Sequence, residues 1–425
     1  MHSIRLWNSV LRPSRSVVGG RSAMVSVTSR QTRSFSMALE NSKSGAVLKN
    51  LENKSEEAIL PKIWLRDNCR CTSCVNQDTM QRNFNTFEIP ENIDLKTIEM
   101  TDDAAHVTWS DLHSSSYTWK WLESTLPKAT KTTISEKDNK KLWGSEITAN
   151  PPEVVYNDVM SAGSDGMAKL TNNLRLYGLC FVTGTPPTPE ASEKLLSTIG
   201  PIRNTHYGGF YDFIPDLALA DTAYTNLALS AHTDTTYFSE PAGLQSFHLL
   251  SHTAPSTSAN NEALGGQSLL VDGFHAAAVL KAESPEDYDC LRTVRLPWHA
   301  SGNEGVAISP DETYPVIEGD SPLRRIRWNN DDRGVVPMTS DASVWYRAAR
   351  KWHEILTRKE TEYWFQLQPG RLLIFDNWRV LHGRSAFEGT RRICGGYISR
   401  DDFVSQWKLS NYPRDEVIAS NIQRQ

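Results

Sequence analysis

The chain of 425 residues has no uninterrupted apolar run of about 18 residues, so no transmembrane helix is expected. Six cysteines are too few to staple a disulfide-rich secreted fold of this length. A basic surplus is also missing. Lys and Arg total 45 against 50 Asp and Glu, a formal charge of -5, so the electrostatic footprint of a nucleic-acid binder is absent. Neither nucleic acid nor a membrane is an expected partner. What remains, 39% hydrophobic and 22% charged, is an ordinary globular composition that excludes wholesale disorder and a fibrous fold.

A local absence is more informative. Residues 1–37 contain no acid and no Lys, but carry six Arg (Arg5, Arg12, Arg15, Arg21, Arg30, Arg33) and nine Ser. Arg-rich, Ser-rich and acid-free is the composition of a mitochondrial presequence. The expectation is import into the mitochondrial matrix with cleavage around Arg33–Met37. A plain disordered basic tail, which would leave the protein in the cytoplasm, is the alternative.

Residues 45–127 read as a compact β-rich unit. Strands are expected at Ile63–Asp67, Asn85–Pro90 and His106–Trp109. Residues 128–151 are polar and aperiodic, a linker. Residues 152–425 form the larger unit. Helical patterns are expected around 153–177, 190–199 and 341–364. Short strands are expected at 178–184, Ser268–Asp272, Arg325–Trp328, Arg371–Phe375 and Ile393–Ile398, and a long loop over 251–267. Many strands with few helices predict a mainly β fold with flanking helices, a jelly roll.

Two clusters point to metals. Cys69, Cys71 and Cys74 form C-x-C-x-x-C, and three thiolates this close converge if the chain turns around one ion. His113, 39 residues after Cys74, is the candidate fourth ligand, with His106 as its competitor. A closed Cys₃His set is a structural zinc site that supports folding. The second cluster is His232-Thr233-Asp234. On a strand, residues i and i+2 share a face, so an imidazole and a carboxylate can bind one ion. His382, 150 residues downstream, completes two histidines and a carboxylate. That set leaves three octahedral positions open, as non-haem Fe(II) oxygenases require. Arg391, nine residues after His382, is a fork able to clamp a carboxylate, with Arg384 and Arg392 as rivals. Tyr207, Phe210, Tyr211, Tyr224, Tyr237, Phe238 and Tyr397 surround these ligands in sequence. Each alone reads as core packing, but several tyrosines about one metal suggest a cation–π cage.

Taken together, Trp64-Leu65-Arg66-Asp67-Asn68-Cys69-x-Cys71-x-x-Cys74 with His113, and Asp376-Asn377-Trp378-Arg379-Val380-Leu381-His382-Gly383-Arg384, resemble the γ-butyrobetaine/trimethyllysine dioxygenase family over roughly residues 60–405. The resemblance implies a double-stranded β-helix preceded by a small zinc domain. It implies Fe(II) on His232, Asp234 and His382, 2-oxoglutarate held by Arg391, O₂, and ascorbate to sustain the iron. It also implies a homodimer and a small quaternary-ammonium substrate. By similarity Tyr207, Tyr211, Tyr224 and Tyr397 fall at cage positions, and Asn329 and Asn330 where the family contacts a substrate carboxylate. The butyrobetaine branch carries Tyr directly after the iron aspartate and tends to have an amide where Asp221 stands. Thr235 and Asp221 therefore look like the trimethyllysine branch, whose substrate has an α-ammonium group. Asp221 also reads as an ordinary capping or surface acid, and Asn329-Asn330 as a strand-end turn. A catalytically silent β-helix that only binds ligands is the rival from another class, and the intact ligand set argues against it.

Overall fold

The computed structural model describes residues 36–52, 57–126, 134, 140–215, 225–255, 264–338 and 341–422. It divides near residue 130 into a small and a large unit.

The small unit holds two antiparallel three-stranded sheets. The first comprises β1 (Met37–Asn41), β2 (Ala46–Asn50) and β3 (Glu57–Leu60). Helix α1 (Lys62–Asp67) follows, then the meander β4 (Leu95–Met100), β5 (Ala104–Trp109) and β6 (Ser114–Thr118), and helix α2 (Trp119–Glu123). Both sheets share one core that includes Leu39, Leu48, Val107, Trp109 and Tyr117. The strand at His106–Trp109 is as expected. Ile63–Asp67 is instead a helix and Asn85–Pro90 contains only a 3₁₀ turn. β-branched and aromatic residues suggested a strand at 63–67, but tertiary contacts decide. Leu65 is fully buried, Trp64 stacks on Trp121 at 5.3 Å, and the Asn68 side chain caps the Trp64 carbonyl at 2.9 Å. The fold also starts earlier than the sequence suggested, because Met37–Leu39 are already buried in β1.

The large unit opens with β7 (Glu153–Val155), α3 (Tyr156–Met160), α4 (Gly166–Tyr177), β8 (Leu179–Thr183) and α5 (Pro189–Ile199). Then come β9 (Tyr211–Phe213), β10 (Leu229–His232), β11 (Leu244–Thr253), β12 (Ser268–Asp272), α6 (Gly273–Glu283) and α7 (Pro285–Thr293). The chain continues through β13 (Ile317–Gly319), β14 (Leu323–Ile326), α8 (Ala342–Leu356), β15 (Glu362–Phe365), β16 (Arg371–Asp376) and β17 (Val380–Arg384). It ends in β18 (Thr390–Gly395), β19 (Tyr397–Ile398), α9 (Arg400–Asn411) and α10 (Arg414–Ile422).

Two sheets make the body. One runs β10-β17-β12-β15, and the other runs β7-β8-β16-β11-β18-β9 with β19 alongside β11. Their inner faces meet through Leu270, Tyr363 and Val380 from the first and Phe181, Leu249, Phe375 and Ile393 from the second. Helices α6, α7 and α8 cover the outer face of the smaller sheet, and α4, α5 and α9 that of the larger. This layering is why Leu372-Leu373-Ile374-Phe375 reads as a continuous apolar run. Leu372 and Ile374 pack outward under helices, while Leu373 and Phe375 point between the sheets. The fold is the jelly roll with flanking helices that the composition of strands predicted.

Several boundaries differ from expectation. The helical pattern around 153–177 starts as strand β7 and is split into α3 and α4, and the strand expected at Arg325–Trp328 is β14, two residues earlier. The helix at 341–364 stops at Leu356, and Glu362–Phe365 form β15. The expected loop over 251–267 begins as the end of β11, while residues 256–263 lie outside the described ones. Within 128–151, Trp143 is buried, donates from its indole to the Tyr177 carbonyl (2.6 Å), and its backbone N–H reaches Asp272 (3.1 Å). Those last residues of the polar stretch therefore pack as part of the large unit.

Candidate functional site

Strand parity builds the large unit's site. Val380 of β17 and Ile393 of β18 point between the sheets, so His382 and Arg391, two residues away on the same strands, point there as well. β10 pairs with β17 so that His232 lies directly opposite His382, with ring centroids 4.3 Å apart. Asp234 joins them by a different route from the one parity suggested. β10 ends at His232, and Asp234 stands in the turn that follows. Thr235 adopts φ 57°, unusual for a β-branched residue, and its hydroxyl accepts the Ala242 N–H at 2.8 Å. Asn377, in the loop after β16, accepts the Asp234 N–H (2.8 Å) and donates to the Asp234 carbonyl (3.0 Å).

The ligand atoms of His232, Asp234 and His382 all lie within 4.8 Å of one another. Asp234 Oδ1 is 3.2 Å from His232 Nε2 and 3.7 Å from His382 Nε2. Two ligands about 2.1 Å from one ion and at right angles stand about 3 Å apart, so the spacing suits a shared metal. His232 Nδ1 donates to the Ser230 carbonyl at 2.8 Å, which turns Nε2 toward the cluster. Burial and the adjacent His232 push His382 down to about 3, so it stays a neutral imidazole. Burial alone would raise Asp234, but His382 and His232 outweigh it and hold the carboxylate well below its usual range.

The cluster opens into a cavity of about 330 Å³ lined by Tyr207, Tyr211, Tyr237, Tyr397, Asn329, Thr235, His382 and Arg391, among others. Arg391 is 2% exposed, and its Nε has no hydrogen-bond partner among the described residues. Burial, then the charge of Arg384, lowers it to about 10. A buried guanidinium in that state suits an anionic group. Of its rivals, Arg392 is an exposed residue paired with Asp212 at 2.5 Å, and Arg384 donates to the carbonyls of Thr225 and Leu227.

Tyr207, Tyr211 and Tyr397 thus share the cavity of the His232, Asp234 and His382 cluster, with Tyr211 and Tyr397 rings 5.8 Å apart. Asn329 lines it, whereas Asn330 borders a neighbouring cleft and accepts from Arg333 Nε at 3.0 Å. Asp221 and Tyr224 lie outside the described residues. Polar residues on the site that escaped the sequence reading include Asn377, Gln245, His299, Asp331 and Asp332. Asn377 stood inside a quoted motif. Gln245 carried a signal too, as a lone amide at an inward position of β11, where Leu249 packs against the opposite sheet.

In the small unit, Cys69, Cys71 and Cys74 Sγ stand 3.3, 3.6 and 3.4 Å from His113 Nε2. Ligands at zinc–sulfur and zinc–nitrogen bond lengths subtend about 3.6 Å across a tetrahedron, so the four atoms fit one ion. His106, the competitor, instead lies beside the Thr101 hydroxyl at 3.5 Å. Burial, then the charge of Cys69, drives Cys74 up to about 12, which a bound cation would relieve. Arg66 donates to Cys74 Sγ at 3.6 Å and pairs with Asp111, which in turn accepts the His113 N–H.

Comparison with known proteins agrees with this layout. Residues 137–397 match the model of the taurine catabolism dioxygenase TauD, TfdA family, and residues 41–123 that of a gamma-butyrobetaine hydroxylase-like N-terminal domain. The trimethyllysine dioxygenase of Neurospora crassa is 55% identical over 393 residues, covering 85% of this chain and 83% of its own. The mitochondrial trimethyllysine dioxygenase of Homo sapiens is 39% identical, covering 82% of each. The gamma-butyrobetaine dioxygenase of Pongo abelii is more distant, 28% identical over 83% of this chain and 92% of its own. The chain therefore belongs to the TauD, TfdA dioxygenase family and, within it, to the group of trimethyllysine dioxygenases.

Proposed function

We propose that the chain is an Fe(II)- and 2-oxoglutarate-dependent dioxygenase that hydroxylates N6,N6,N6-trimethyl-L-lysine at C3, the first step of carnitine biosynthesis. The observation that carries this reading is the 55% identity to the Neurospora crassa relative. The two histidines and one carboxylate beside a buried, unpartnered Arg391 Nε support it. His232, Asp234 and His382 hold the iron. Arg391 takes the distal carboxylate of 2-oxoglutarate through its guanidinium fork. When bound, the iron and cosubstrate supply the oxidising chemistry, in which O₂ delivers one oxygen to succinate, with loss of CO₂, and one to the substrate C–H bond.

The chain's own part is binding and orientation. Tyr207, Tyr211, Tyr224 and Tyr397 present ring faces to the trimethylammonium, worth about 0.5–2 kcal/mol per contact. Asp221 pairs with the α-ammonium, and Asn329, which lines the cavity, with the α-carboxylate. Fixing both ends of the substrate selects which carbon meets the oxidant. Inner-face residues such as Phe247 and Phe375, whose rings lie 5.4 and 5.1 Å from His382, exclude water from the metal side. Ascorbate keeps the iron reduced between turnovers.

The small unit binds one structural zinc through Cys69, Cys71, Cys74 and His113 and mediates a homodimer. Residues 1–37 direct the chain to the mitochondrial matrix, in keeping with the mitochondrial names of the vertebrate relatives. No helix of the described residues is long and apolar enough to cross a membrane. The test is product formation with Fe(II), 2-oxoglutarate and ascorbate, offering trimethyllysine and γ-butyrobetaine side by side. A gain of one oxygen on trimethyllysine is the expected result. Preference for butyrobetaine would leave the dioxygenase reading standing and overturn the substrate assignment.

A further inference from the structure

We propose that Gln245 and Tyr397 are positioning residues that hold Asp234 Oδ2 in two hydrogen bonds and so present Oδ1 to the metal. The inference rests on the reading of His232, Asp234 and His382 as the iron ligands.

The two oxygens of Asp234 have different surroundings. Oδ1 is the atom that stands 3.2 and 3.7 Å from the histidine Nε2 atoms. Oδ2 accepts two hydrogen bonds, one from Gln245 Nε2 and one from the Tyr397 hydroxyl, both at 2.7 Å. Neither donor is free to wander. Gln245 is 2% exposed and Tyr397 6% exposed. Gln245 and Tyr397 are register partners on β11 and β19, so the sheet itself sets their separation. Asn377 fixes the same aspartate through its backbone, and a third bond from that amide to the Ala242 carbonyl (3.1 Å) ties the turn to the strand that follows.

The arrangement has a chemical consequence. Two imidazoles and one carboxylate oxygen leave three octahedral positions. A bidentate 2-oxo acid and O₂ need all three. A carboxylate with Oδ2 unrestrained can swing and carry Oδ1 off the ligand position it must fill. Two donors on Oδ2 oppose that swing and also orient Oδ1 before the metal arrives, as partners of metal-bound carboxylates do elsewhere. The inference gives Tyr397 a second role. Its ring lines the cavity beside Tyr211, but its hydroxyl serves the ligand. The Tyr211 hydroxyl instead donates to the Ser246 carbonyl at 2.6 Å.

The experiment is a titration of the metal-free chain with Mn(II), read by loss of the free-ion electron paramagnetic resonance signal, without turnover. Tyr397→Phe keeps the ring and removes the donor. Gln245→Met removes the amide at similar volume, and Gln245→Asn, which keeps the amide but shortens its reach, is a second variant in case the first unfolds. Each is expected to weaken Mn(II) binding about 10-fold, and the pair of substitutions about 100-fold. Wild-type affinity in folded Tyr397→Phe and in a folded Gln245 variant would overturn the proposal. So would a Tyr397→Phe that binds Mn(II) normally and raises only the substrate KM, since that is the behaviour of a cage wall alone. Asp234→Ala separates the two layers of the argument. If it binds Mn(II) like wild type, the ligand assignment itself fails. If it loses the metal while the positioning variants keep it, only this inference fails.

Discussion

The side-chain amide of Asn377 spans the backbone of Asp234, accepting its N–H at 2.8 Å and donating to its carbonyl at 3.0 Å, so a residue from the His382 segment fixes the turn that carries the Asp234 carboxylate. Asn377 is 1% exposed, so these bonds are shielded from solvent. Asn377→Ala leaves a buried N–H and two carbonyls unsatisfied, and is expected to cost about 2–4 kcal/mol of stability. Turnover should fall at least about 10-fold, as loss of a metal site's outer support does. Urea unfolding and steady-state rates on the same preparation check both. Wild-type stability with wild-type rate would mean the latch does nothing.

Arg391 is a buried cation whose Nε has no hydrogen-bond partner among the described residues, and its proposed partner is the distal carboxylate of 2-oxoglutarate. Arg391→Lys keeps the charge and loses the fork. The expected outcome is an apparent KM for 2-oxoglutarate raised about 10-fold or more, with the KM for the amine substrate within about 2-fold. An equal rise in both would point to a general loss of the cavity rather than to a carboxylate clamp.

His248 gives a pH signature remote from the metals. It is fully buried on the outer side of β11. Its Nε2 accepts the Gly370 N–H at 3.1 Å, so Nδ1 carries the proton and donates to Ser192 Oγ at 2.7 Å. Protonating Nε2 would set two donors face to face, and burial lowers the group to about 4. The folded value lies below the unfolded one of about 6.5, so between these values the unfolded chain binds the extra proton. Stability is therefore full above about pH 6.5 and falls as the pH drops toward 4, by about 2–3 kcal/mol. His248→Gln should flatten that part of the curve, whatever its absolute stability. An unchanged slope would remove His248 as the cause.

The Cys₃His cluster predicts one zinc per chain, independent of iron loading. Cys74→Ser should lower the zinc content and unfold the small unit, because a closed structural site contributes its binding energy to folding. Metal analysis together with proteolysis mapped to residues 57–126 reads both effects. Full zinc retention in Cys69→Ser and Cys74→Ser would reject the ligand set.

The parts of this picture legible in the sequence share one property: their chemistry repeats at short spacing. C-x-C-x-x-C, H-x-D and the aromatic-flanked His382 segment each announce a site within a few residues. The buried strand at Leu372–Phe375 was equally plain, because a strand covered on both faces is apolar throughout. What escaped depends on distant partners. Ile63–Asp67 looks like a strand until Trp121 and Tyr117, more than fifty residues on, pack it as a helix, the Tyr117 hydroxyl donating to the Leu65 carbonyl at 2.7 Å. β11 hides because its outward positions are polar, Ser246 and His248 being satisfied by Gly396 and by Ser192 on α5. The way Asp234 reaches His232 and His382 also differs from the expected one. A left-handed Thr235 and an amide 143 residues away do what strand alternation was expected to do.

The most direct test of the central claim is a labelled turnover. Under ¹⁸O₂, with Fe(II), 2-oxoglutarate and trimethyllysine, the account predicts one ¹⁸O in the hydroxylated amino acid and one in succinate, in equal amounts, with Asp234→Ala forming neither. Unlabelled product, succinate formed without hydroxylated amino acid, or full activity in Asp234→Ala would contradict it.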